Sequence, residues 1–141
     1  MHRTIVQQLP LRKPLLVINT EFLQIKPDIL EYLDERGVSY QLASNSENIL
    51  SRVDVAYQTR IDRERLKGKD VDFSLYNIDR DVLKVMKYNS IIMHPLPRSV
   101  EIDPAVDSDP RAAYFRQARN GLFVRMALLT MIFENDNSNQ E

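Results

Sequence analysis

Three short stretches of this chain carry side chains that could do chemistry. In Ile92-Met93-His94-Pro95-Leu96-Pro97-Arg98 an apolar run ends in two prolines that bracket a leucine, followed by a guanidinium. Each proline fixes φ and gives up its backbone N–H, so Pro95, Leu96 and Pro97 offer carbonyl acceptors with few matching donors. Such an array suits a ligand that presents N–H groups. His94 adds an imidazole able to move a proton near neutral pH, although a lone histidine at a strand end more often serves a structural hydrogen bond. The second stretch, Tyr57-Gln58-Thr59-Arg60-Ile61-Asp62-Arg63-Glu64-Arg65, packs guanidiniums and carboxylates directly after an apolar run. Its plain reading is a solvated charged loop. The chemical one is that Arg60, a planar fork of donors, clamps a carboxylate or phosphate bidentately while Glu64, four residues on, holds it in place. The third is Arg3-Thr4, a single cation near the start of the chain.

Other chemistries find no residues. The chain has no cysteine, so disulfides, thiolate metal sites and thiol catalysis are excluded. Its two histidines, His2 and His94, do not form a metal-ligand pattern. The three glycines, Gly37, Gly68 and Gly121, are scattered and make no phosphate loop or dinucleotide fingerprint. Neither a metal nor another cofactor is expected.

These stretches need elements to position them. Pro14 to Ile18 is a short continuous apolar run suited to a buried strand of a parallel sheet. Pro27 opens a helical pattern with Ile29, Leu30 and Leu33 apolar and Gly37 as its stop. Val38 to Leu42 reads as a second strand, Ser46 as the cap of a helix carrying Ile49 and Leu50, and Val53 to Tyr57 as a buried third strand. A weaker cycle follows: a short strand at Phe73 to Leu75, a helix over Asp79 to Lys87 with Val82, Leu83 and Met86 inward, and a strand from Ser90 to Met93. The alternation predicts an α/β fold, a doubly wound parallel sheet (Rossmann-like) of four to five strands, in which ligands sit beyond the carboxyl ends of the strands. His94 and Arg60 both fall at such ends. After the polar loop Asp103 to Pro110, a long carboxyl-terminal helix is expected from about Arg111 to Phe133.

The second half of that helix, Leu122 to Phe133, is apolar nearly all round, whereas a helix on the surface of one domain needs only a stripe. Something else must cover its other side. With 141 residues, 43% of them hydrophobic, the chain has the size of one domain, 1–134, followed by a polar tail, 135–141, expected to be disordered. A formal charge of −1 supplies no field for nucleic acid or an anionic membrane. No apolar run approaches the ~20 residues of a membrane span. The expectation is a cytoplasmic protein.

His94-Pro95-Leu96-Pro97-Arg98, Glu101-Ile102, Val106-Asp107, the run Asp109 to Ala118 and Asn120-Gly121 resemble aspartate transcarbamoylase catalytic chains. Tyr57 to Arg60 with Arg63-Glu64-Arg65 resembles that family's aspartate-binding loop, and Arg3-Thr4 the start of its second domain. The sister ornithine branch places a cysteine after the histidine, where this chain has Pro95. The resemblance implies the aspartate-binding half of an enzyme that carbamoylates L-aspartate from carbamoyl phosphate in pyrimidine biosynthesis. It implies that Arg3 and Arg60 neutralise the two carboxylates of aspartate and that the Leu96 and Pro97 carbonyls grip the carbamoyl amide. The carbamoyl-phosphate domain, with its Ser-Thr-Arg-Thr loop, is not found in this sequence, so a separate domain or chain is the implied partner, in a homo-oligomer that is a trimer by family. The chain departs from the pattern at Asp62, where the family usually has Gln: a carboxylate within ~4–6 Å of a dianion repels it unless neutralised. Asp62 also motivates a second reading, a non-catalytic binding or assembly module that keeps the fold.

Overall fold

A computed structural model describes residues 15–18, 24–43, 49–60 and 76–138. Strand β1 (Leu15–Ile18) leads to helix α1 (Pro27–Glu35) and strand β2 (Tyr40–Ala43). Strand β3 (Val55–Tyr57), helix α2 (Arg80–Val85), strand β4 (Ile91–Met93), a 3-10 turn (Pro104–Val106) and helix α3 (Tyr114–Ser138) follow. The architecture is α/β with parallel strand pairing and a long carboxyl-terminal helix. Among the described residues the strands form two parallel pairs, β1 with β2 and β3 with β4.

Local chemistry explains the helix ends. Pro27 stands at the start of α1, where its missing N–H is no loss. Gly37 ends it with φ 61°, while the Gly37 and Val38 N–H groups donate to the Asp34 and Leu33 carbonyls. In α2, Asp79 Oδ1 accepts from the Asp81 and Val82 N–H groups, each at 2.9 Å.

The core around β4 is built from both strands and helices. Ile92, Ile102, Val106 and Tyr114 are fully buried and pack with Ala56, Ile78, Leu83 and Met86. Ile92 is paired with Ala56 on one side and bridged to Ala112 on the other, so β4 lies between β3 and the segment entering α3.

Several expectations shift. The third strand is not buried on both faces: Ala56 is buried, but Val55 and Tyr57 are 49% and 37% exposed. The strand begins at Val55, not Val53, and α2 is a six-residue helix. The loop from Asp103 to Pro110 contains the 3-10 turn, closed by Asp103 Oδ1 accepting the Ala105 N–H at 2.7 Å. Helix α3 starts at Tyr114 and runs to Ser138, into the stretch read as a tail. The short strand expected at Phe73 to Leu75 and the cap at Ser46 lie outside the described residues.

The apolar half of α3 matches its sequence. From Leu122 to Phe133 its large apolar side chains are 53–64% exposed. Among the described residues no helix is long and apolar enough to cross a membrane.

Candidate functional site

Parallel pairing brings two of the three chemical stretches to one edge. β3 and β4 run in register, with Tyr57 opposite Met93, so both chains leave the sheet at the same end. The Gln58 N–H donates to the Met93 carbonyl at 2.9 Å, extending the pairing one residue past β3. Arg60 follows on one side, exposed, and the His94 to Arg98 turn on the other. This is the carboxyl end of a parallel pair, where α/β folds bind their ligands.

The turn is shaped by its own side chains. The Leu96–Pro97 peptide is cis and Leu96 has φ 47°, a left-handed conformation that costs a leucine ~1–2 kcal/mol. His94, 1% exposed, lies beneath it. The Leu96 N–H donates to His94 Nδ1 at 2.9 Å, and His94 Nε2 lies 3.0 Å from Glu101 Oε1. Because Nδ1 accepts, the proton of the neutral ring sits on Nε2 and is donated to Glu101. Glu101, also 1% exposed, accepts the Ser99 N–H at 2.9 Å through the same oxygen. Burial pushes the His94 pKa below the ordinary histidine value, and nearby Arg98 adds to this, while Glu101 opposes both.

The Pro95–Leu96 peptide is trans, so with the Leu96 N–H taken by His94 the Pro95 carbonyl points away from the imidazole. Among the described residues no hydrogen bond ends on the Pro95, Leu96 or Pro97 carbonyls. Pro97 is exposed, Pro95 and Leu96 half-buried. A shallow groove lined by Leu96, Pro97, Arg98 and Phe115 opens beside the turn.

Arg98 does not face that edge as a free cation. Its Nη2 donates to Asp107 Oδ2 at 2.5 Å and its Nη1 to the Ile102 carbonyl at 3.2 Å. Asp107 Oδ1 also accepts from the buried Tyr114 hydroxyl at 2.5 Å. Burial first, and the Asp107 carboxylate second, hold the Tyr114 hydroxyl strongly protonated. Arg98 thus fastens the turn to the 3-10 segment and the start of α3.

The structure places Arg60, Pro95, Leu96 and Pro97 on one edge and puts His94 beneath them. Arg3 and Asp62 lie outside the described residues, as does Glu64. Sequence reasoning gave no role to Glu101, Asp107 or Gln117, which organise this edge. A carboxylate between the apolar Val100 and Ile102 was the available signal for Glu101. Gln117 carried none, since an amide on a polar helix turn is ordinary. No group of His, Cys, Asp and Glu able to hold a metal ion occurs among the described residues.

Comparison with known proteins supplies the context for this geometry. Residues 13–132 match the family described as aspartate/ornithine carbamoyltransferase, Asp/Orn binding domain. The chloroplastic aspartate carbamoyltransferase of Arabidopsis thaliana is 49% identical over 120 residues, covering 82% of this chain and 30% of that protein. The structure of Trypanosoma cruzi aspartate transcarbamoylase in complex with carbamoyl phosphate superposes with a TM-score of 0.74 at 35% identity, over 83% of this chain and 39% of that one. The same enzyme in complex with carbamoyl phosphate and aspartate gives 0.70 at 34% identity, over 83% and 38%. The chain spans about a third of the length of the curated relatives it matches.

Proposed function

We propose that this chain, which belongs to the aspartate/ornithine carbamoyltransferase family as its Asp/Orn binding domain, is the aspartate-binding half of an aspartate carbamoyltransferase. The supporting observation is the juxtaposition at the ends of β3 and β4. An acceptor-rich turn and an arginine-bearing loop leave the sheet side by side, linked by the Gln58 to Met93 hydrogen bond. One suits an amide with two N–H donors, the other a carboxylate.

In this reading Arg60 and Arg3 each pair with one carboxylate of L-aspartate by charge-assisted hydrogen bonds, leaving the α-amino group to attack. The Leu96 and Pro97 carbonyls accept from the carbamoyl N–H groups and orient the carbamoyl carbon. The amine nitrogen forms the new C–N bond, and the C–O bond to phosphate breaks with its electron pair leaving on phosphate. The amine gives up a proton to the departing phosphate, and N-carbamoyl-L-aspartate and phosphate result. Positioning and electrostatic complementarity carry such a transfer, with no covalent enzyme intermediate. The phosphate grip belongs to a carbamoyl-phosphate domain outside this sequence, which would also cover the apolar half of α3. Asp62 stands two positions after Arg60 in the sequence, and a carboxylate close to a bound dianion would weaken aspartate affinity unless Arg63 or Arg65 neutralises it. Homo-oligomeric assembly, a trimer by family, and a cytoplasmic or plastid setting complete the proposal.

Carbamoyl-aspartate formation is the test, with the chain paired with a carbamoyl-phosphate domain from a relative such as the Arabidopsis protein. Activity should appear, and Arg60→Ala should lower it by ~10–150-fold, the equivalent of one charge-assisted contact. No product under any pairing would instead mark a binding or assembly module.

A further inference from the structure

We propose that His94 and Glu101 form a buried positioning pair that fixes Leu96 in its left-handed conformation and thereby sets where the Leu96 and Pro97 carbonyls stand, and that His94 exchanges no proton with substrate. The proposal rests on the reading above, in which those carbonyls grip the carbamoyl amide.

The geometry accounts for every ring nitrogen. Nδ1 is taken by the Leu96 N–H and Nε2–H by Glu101, at 2.9 and 3.0 Å, so neither is left for a ligand. One carboxylate oxygen, Glu101 Oε1, also holds the Ser99 N–H. The segment from His94 to Glu101 is therefore closed on itself, its two ends and its two inner amides meeting at one imidazole and one carboxylate. Both side chains are 1% exposed, beneath the turn and away from solvent.

Leucine does not adopt φ 47° unaided, and the hydrogen bond to Nδ1 is what turns its N–H inward. The Pro95–Leu96 peptide is trans, so turning that N–H inward turns the Pro95 carbonyl away from the imidazole, and the φ held at Leu96 fixes how the chain runs on into the Leu96 and Pro97 carbonyls. A proton placed on Nδ1 would oppose the Leu96 N–H, so the acidic form of His94 is incompatible with the turn. The charged groups acting on the ring are Glu101 from the turn's far end and Arg98 from its near side, and burial outweighs the carboxylate in keeping the ring neutral. From α3, Gln117 presents only a neutral amide, whose Oε1 accepts the His94 backbone N–H at 2.9 Å.

The full chain allows a direct test, because it has only two histidines, His2 and His94, and His2→Ala assigns their signals. In 15N-histidine-labelled protein His94 should appear as the neutral Nε2–H tautomer, and should remain so at pH 6. Amide exchange at Leu96 should accelerate at least tenfold in Glu101→Ala but stay near wild type in Glu101→Gln, whose amide oxygen can accept both bonds. The affinity for N-carbamoyl-L-aspartate should follow the same order. Should Glu101→Ala fail to fold, the tautomer and the Glu101→Gln protein still decide. A proton on Nδ1, ordinary titration of His94, or an unprotected Leu96 amide overturns the pair. The expected tautomer and protection with no binding of N-carbamoyl-L-aspartate at the turn support the pair and overturn the functional reading instead.

Discussion

The Gln117 side chain accepts the backbone N–H of His94 at 2.9 Å, which ties α3 to the first residue of the turn. Its Nε2 also reaches the Tyr57 hydroxyl at 3.3 Å, at the end of β3. One amide thus spans the two segments that carry the candidate site. Gln117→Leu should weaken N-carbamoyl-L-aspartate binding by ~2–12-fold, the value of one ordinary hydrogen bond. Gln117→Glu keeps the acceptor for His94 but adds a carboxylate at the edge that takes a dianion, and should weaken binding at least as much. Calorimetric titration of the two variants checks this.

Asp107 receives both Arg98 and the Tyr114 hydroxyl, at 2.5 Å each. Tyr114→Phe removes one hydrogen bond to a charged group and should cost ~1.5–3 kcal/mol in urea unfolding. Asp107→Ala should cost more, since it leaves the fully buried Tyr114 hydroxyl and a part-buried guanidinium without their acceptor. The Arg98→Ala and Asp107→Ala changes should be non-additive by ~0.5–3 kcal/mol, because they delete the same pair.

Arg111 donates to both oxygens of Asp109, at 2.8 and 2.9 Å, and its Nη1 to the Leu83 carbonyl of α2 at 2.8 Å. Its hydrogen bonds hold the Asp109 carboxyl below the ordinary aspartate value. The folded chain therefore keeps Asp109 ionised where the unfolded chain, near pH 3.9, takes up a proton. The stabilisation is fully present above about pH 4 and is lost as pH falls through the depressed folded value. Asp109→Asn should be ~1.5–3 kcal/mol less stable at pH 7. Unfolding curves of the two proteins should converge in strong acid.

Helix α3 exposes Phe123, Leu128, Met131 and Phe133 together along its second half. A contiguous apolar surface of this kind binds other apolar surfaces. The isolated chain should bind an apolar fluorescent dye and sediment above monomer mass at micromolar concentration, and Leu128→Lys with Met131→Glu should reduce both. A monodisperse monomer that binds no dye would contradict this.

Much of the frame was legible because its signals are local. Pro27, Gly37 and the run Ile91 to Met93 mark their elements by backbone chemistry alone. The third strand misled because Val55 and Tyr57 look like core residues, and only the position of β3 beside β4 shows that Ala56 alone is buried. The turn was readable as an acceptor array from its two prolines. What holds it was not: the partners of His94 lie seven and 23 residues away, at Glu101 and Gln117, and no periodicity announces such contacts. Arg98, read as a guanidinium at the mouth of a strand, is drawn to Asp107 instead.

The most direct test uses the full chain with 13C-labelled leucine and proline carbonyls and 15N-labelled arginine, titrated to millimolar N-carbamoyl-L-aspartate and, separately, N-carbamoyl-L-ornithine. The account predicts saturable shifts at the Leu96 and Pro97 carbonyls and at Arg60 with the aspartate product, at least tenfold weaker with the ornithine product, and their loss in Arg60→Ala. Equal responses to the two compounds, or shifts confined to residues away from this turn, would contradict it.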